Sequence, residues 1–186
     1  MISKAAKVTR SIVGGVLVAI VVAACGGSEP SDALATAAVP DEVVGFLDFT
    51  NGEDKTFGIF VCATDGDVTL DSVEAIELEG EIELLGGLVY KAEGAYVGAV
   101  DGFPPTGLDD DTLTEIAGAV VSTGCDDSDS DQRTQVLVGA NRVGPTGGTI
   151  SGIRIIHDDG FLEITDYTII LCGDDLGYCE EYAPDE

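Results

Sequence analysis

Carboxylates are the only side chains numerous enough here to build a ligand site from sequence neighbours. Asp126, Asp127, Asp129 and Asp131 crowd a short stretch beside Cys125. Ca²⁺ takes about six to eight oxygens, largely carboxylates and backbone carbonyls, on turns that curl around the ion. Read from Asp127, the run puts Asp127, Asp129 and Asp131 at alternate positions, as the opening of an EF-hand loop does. The pattern then departs, because Gln132 stands where the sharp turn needs Gly and Val138 where the closing bidentate Glu belongs. That excludes an EF-hand. Ca²⁺ at Asp127, Asp129 and Asp131 remains the candidate cofactor, against the expected reading of a solvated acidic loop. Asp109-Asp110-Asp111 is a weaker second run.

Glu77, Glu79, Glu81 and Glu83 alternate with Ile76, Leu78, Ile82 and Leu84. On one continuous strand those carboxylates share a face, about 6.8 Å apart, and raise one another's pKa values. Such a row is ordinarily the wet side of a half-buried strand. Catalysis has less support. His157, the lone histidine, adjoins a turn, so solvent exposure is expected, and no partner for a general base is apparent. Neither G-x-S-x-G, H-E-x-x-H nor a P-loop occurs. An acidic chain offers too many carboxylate pairs for glycoside-hydrolase spacing to discriminate. No catalytic residue is assigned.

Four of the five cysteines, Cys62, Cys125, Cys172 and Cys179, lie well beyond the N-terminal segment. An even number in an exported chain reads as two disulfides. The favoured pairing is Cys62–Cys125 with Cys172–Cys179, and Cys62–Cys172 is the runner-up. Zinc is disfavoured, since no C-x-x-C pair exists.

The elements that position these residues read as strands. Residues 57–63 form an apolar run before the Asp65-Gly66 turn. Residues 76–84 alternate strictly, with Gly80 as either a bend or a turn. Residues 87–93 and 95–100 suggest a strand pair, 101–111 a loop, and 116–123 and 134–143 further strands. Asp158-Asp159-Gly160 supplies a tight turn for a hairpin over 149–171, with 167–172 as another strand. About eight or nine short strands without long helices predict an all-β fold. The expected architecture is an antiparallel, immunoglobulin-like β-sandwich, with an open β-barrel as the alternative.

Lys4, Lys7 and Arg10 precede the apolar residues 12–24, a stretch of secretory-core length and short of the roughly 20 residues that span a bilayer. Val22-Ala23-Ala24-Cys25 follows, and this segment resembles the lipobox of bacterial lipoproteins. The resemblance implies a signal peptide over 1–24, cleavage before Cys25, and acylation of Cys25, so that the chain is held at the extracytoplasmic face of the cell membrane. Val22 stands where Leu is commoner. Residues 25–41, rich in Gly, Pro, Ser and Ala, then read as the lipidated cysteine and a flexible tether, with 42–186 as a single β-rich domain ending in an acidic segment. The stretch QVLVGANRVGPTGGTISGIRIIHDDG (135–160) is similar to uncharacterised secreted actinobacterial β proteins, which carry no function across.

The 186 residues hold 35 acids against 8 Lys and Arg, a net charge of −27. Three of those cations lie in the leader, so the remainder is more acidic still. Neutralising phosphates requires Lys and Arg, which excludes nucleic acid as a partner and disfavours adsorption to anionic lipid. Absence of Trp disfavours a sugar-stacking platform. An acid excess of this size matches proteins of saline surroundings, where salt screens self-repulsion. The reading favoured by these observations is a non-enzymatic, lipid-anchored binding or structural module that meets an envelope protein. A Ca²⁺-dependent adhesive module is the second reading and an envelope hydrolase the third.

Overall fold

A computed structural model of the chain describes residues 29–36, 42–46, 53–91, 97–125 and 134–174. Among them eleven strands form: β1 (Leu34–Thr36), β2 (Glu42–Phe46), β3 (Asp54–Ala63), β4 (Val68–Gly80), β5 (Ile82–Lys91), β6 (Ala99–Asp101), β7 (Leu113–Glu115), β8 (Val120–Val121), β9 (Thr134–Arg142), β10 (Gly147–His157) and β11 (Gly160–Cys172). One sheet has the order β1-β3-β9-β5-β7, with β6 also on β3; the other has the order β2-β11-β10-β4-β8. Neither closes into a barrel. Pairing is antiparallel except for β2, which lies parallel to β11. Phe57, Val136 and Val138 of the first sheet belong to the same buried cluster as Leu70, Ile153 and Ile169 of the second. The expected β-sandwich is the architecture.

Several boundaries differ from the sequence reading, each for a tertiary reason. Of the two readings of Gly80 the chain takes the break rather than the bend: at φ 79° it changes sheets there, so β4 and β5 belong to opposite layers and 76–84 is not one strand. Residues 87–93 and 95–100 do not pair with each other, because β6 adds to β3 while β5 pairs with β9 and β7. Within 116–123 only Val120 and Val121 are strand. Residues 160–172 are one strand rather than two, with an irregularity between the Ile153↔Ile164 and Ser151↔Thr168 pairs.

Strand β9 is buried on both faces. One face meets the inter-sheet core. The other carries Leu137, which clusters with Tyr90 and Val97 and, at its margin, with Val100 and Leu108. The residues flanking β6 within 97–108 therefore fold as a strap over the outside of the first sheet. Gln135 fastens it: its Oε1 accepts from the Val97 N–H and its Nε2 donates to the Val97 carbonyl, both at 3.1 Å. Phe103 lies over Gly139, where an added Cβ would fall 2.4 Å from the ring. Only Gly allows that approach.

Part of the segment expected as a flexible tether belongs to the sandwich instead. Leu34, Ala35 and Thr36 pair with Ala63, Cys62 and Val61, and Leu34 is fully buried. Upstream, Pro30 bridges Phe161, the Ser31 N–H donates to the Phe161 carbonyl, and the Phe161 N–H donates to that of Glu29. An apolar Leu that finds a core position outweighs the loop-like composition around it. Nearby, Cys62 and Cys125 are joined by a disulfide with a Cα–Cα separation of 4.9 Å. Cys172 is also disulfide-bonded.

Candidate functional site

The longest unpaired sheet edge among the described residues belongs to β4. Its inner edge pairs with β10 from Leu70 to Gly80. Its outer edge meets β8 only at Val68 and Thr69, and the Leu70 backbone bonds Gly118 and Ala119. From Ser72 to Gly80 no described strand covers it. Residues 76–80 are all exposed. Ile76 retains 39 % of its surface and Leu78 49 %. Both were expected on one apolar face, with Gly80 as either a bend or a turn. The crossing at Gly80 carries the chain away into the opposite layer, leaving these two side chains in solvent. In an antiparallel ladder alternate residues aim their N–H and C=O groups away from the paired neighbour, so this stretch offers backbone donors and acceptors beside apolar side chains.

The same crossing dissolves the expected glutamate row. Glu77 and Glu79 sit exposed on β4, and Glu83 on β5. Glu81 lies between the strands and turns its carboxylate to Thr146, accepting from the backbone N–H at 2.8 Å and from Oγ1 at 2.7 Å. Those two hydrogen bonds hold the Glu81 pKa below its usual value, the reverse of the mutual elevation a shared face implies. Glu74, further back on β4, pairs with Arg154 at 3.6 Å.

His157 contradicts the expectation of solvent exposure. It ends β10 opposite Gly160, beside the Asp158-Asp159 turn, yet only 1 % of its surface is accessible. It falls in phase with the buried Ile153 and Ile155, a parity readable in IRIIH that the nearby turn obscured. Neither ring nitrogen has a hydrogen-bond partner among the described residues. Desolvation lowers its pKa, opposed by the charges of Asp158 and Asp159. The residue borders an open depression of about 540 Å³ that Thr69, Asp71 and Asp158 also line. Asp158 is already engaged there, accepting from the Thr69 N–H at 3.1 Å.

A second depression, of about 270 Å³, is lined by Glu53, Asp54, Lys55, Asp101 and Gly102. Its lysine is buried and ion-paired to Asp101 and, at 3.4 Å, to Glu53. The Gly102 N–H donates to the Asp54 carbonyl, so the cluster clamps the start of the outer strap to β3. A charge held in this way is structural.

Asp127, Asp129 and Asp131 lie outside the described residues, as do Cys25 and Cys179. Asp109 is exposed, and its carbonyl accepts from the Thr112 N–H and hydroxyl in a 3-10 turn at Asp110–Thr112. Among the described residues no three His, Cys, Asp or Glu side chains are grouped to hold a metal ion. None of their helices is long and apolar enough to cross a membrane. No family model matches the chain, and neither the curated proteins nor the solved structures yield a match.

Proposed function

We propose that this chain is a lipid-anchored, extracytoplasmic interaction module of the cell envelope, working by binding rather than by catalysis. The address rests on the leader and Val22-Ala23-Ala24-Cys25. The activity rests on one observation, the uncovered edge of β4 with Ile76 and Leu78 in solvent. Large apolar side chains on an unpaired edge invite association, and natural sheets cover such edges unless something is meant to meet them. The remaining sheet-end strands support the contrast: β1, β6, β7 and β8 are two or three residues long and β2 five, each shorter than the uncovered Ser72–Gly80 stretch of β4.

Two measurements test the reading separately. Cys25→Ser in the full chain should abolish acylation and shift the protein out of the membrane fraction; unchanged fractionation would remove the anchor. A photo-reactive amino acid at position 78 should crosslink a discrete envelope protein in intact cells. The same group at Val143, which is 54 % exposed, is the control. Equal adducts from both positions, or none from position 78, would remove the β4 edge as the binding surface.

A further inference from the structure

The chemistry of the β4 edge narrows what it can accept, given the reading of that edge as the interaction surface. Successive side chains of a strand point to opposite sides, so Ile76 and Leu78 share one side and Glu77 and Glu79 the other. Neither glutamate forms an ion pair with a described cation. A strand laid beside β4 places its own alternating side chains next to these two sets. A matching strand therefore carries small or branched apolar residues on one side and Lys or Arg on the other. A second copy of this chain is disfavoured, because pairing two such edges sets Glu77 and Glu79 against like charges within a molecule of net charge −27. Anionic lipid and nucleic acid are repelled for the same reason.

We propose that the outer edge of β4, over Ser72–Gly80, binds an extended basic segment of a partner protein as an added strand. Main-chain hydrogen bonds to the outward N–H and C=O groups hold the segment, and Glu77 and Glu79 select its cations. Because the carboxylates are solvent-exposed, they contribute more to partner choice and association rate than to holding strength, and their effect falls with salt.

The test uses the full chain in nonionic detergent and a fluorescent peptide of alternating Lys and Val. Fluorescence polarisation should show saturable binding, and hydrogen exchange should slow at backbone amides within 72–80. Glu77→Lys with Glu79→Lys should weaken binding by about tenfold or more, since both favourable contacts become repulsive. A peptide of the same sequence with alternate backbone nitrogens methylated keeps every charge but cannot complete the ladder, and it should fail to bind the unaltered chain. Equal binding of the methylated peptide would reduce the effect to unspecific charge attraction and overturn the proposal. Protection falling elsewhere, or absence of saturable binding, would overturn it as well. Protection of 72–80 by self-association without peptide would replace the basic partner with a second copy. If position 78 still crosslinks a partner while the peptide fails, the surface stands and only the strand-addition chemistry is lost.

Discussion

Glu81 and Gln135 are single side chains that hold two distant pieces of chain together, and each makes a prediction. Glu81 accepts both of its hydrogen bonds from Thr146, so its folded-state pKa lies below the usual 4.5. A depressed carboxyl contributes stability that is present above about pH 4.5 and is lost as pH falls through the folded-state value. Glu81→Gln should therefore lower the thermal midpoint at neutral pH. The gap from the parent should close below pH 4.5, as followed by circular dichroism. Gln135 matters more to the fold because it is buried with both of its partners. Gln135→Leu would leave the Val97 N–H and C=O in apolar surroundings without their amide. Each stranded group costs about 1–3 kcal/mol, so a loss of about 2–6 kcal/mol should appear in urea unfolding, with faster hydrogen exchange over 97–108. Nothing in the spacing of Gln135 marks this role. A single polar residue inside VLV-type alternation reads as the wet face of a strand until the strap that covers that face is known.

At the level of elements, the β10–β11 hairpin is the part the sequence made easiest to read. Asp158-Asp159-Gly160 is local chemistry, and His157 does sit opposite Gly160. The apolar runs behind β3 and β9 were legible for the same reason, since a short run bounded by turn residues needs no knowledge of its neighbours. The break at Gly80 was not legible. A bend and a change of layer use the same glycine, and only the packing of Ile82 into the core decides between them. The candidate site was hidden with it, because Ile76 and Leu78 look like core residues in any period-two count. His157 supplies the prediction at this scale. Its folded-state pKa is lowered by desolvation. Stability is thus full above about pH 6.5 and is lost as pH falls from there through the folded value, while the unfolded state takes up the proton. Asp158 and Asp159 on the turn, and Asp71 lining the same depression, face this end and moderate the effect. His157→Leu should flatten the decline below pH 6.5 and, by removing two unpartnered buried nitrogens, cost little at pH 7.5.

Across the whole molecule, charge and covalent closure set the stability. With a net charge of −27, self-repulsion opposes folding and salt relieves it. NaCl should raise the thermal midpoint, and CaCl₂ at matched ionic strength should raise it equally if the acids form a screened surface. A larger Ca²⁺ response would reveal a cation site of the folded state, with Asp127, Asp129 and Asp131 as the first residues to replace. The Cys62–Cys125 disulfide spans 63 positions. On the chain-entropy account it contributes about 4 kcal/mol, so the Cys62→Ala, Cys125→Ala double variant should lose stability of that order in urea. The docking of Pro30 on Phe161 has a further consequence for posture. Only residues 26–29 separate Cys25 from that bridge, a span of at most about 17 Å. With Cys25 acylated as proposed, so short a span would moor the domain by its Asp158-Asp159 pole, close to the headgroups. Strand β4 begins at that pole, where Leu70 lies opposite His157, and ends opposite Gly148. At about 3.3 Å per residue, Ile76 and Leu78 would then stand roughly 20–26 Å along β4 from that moored pole, within reach of whatever approaches from outside.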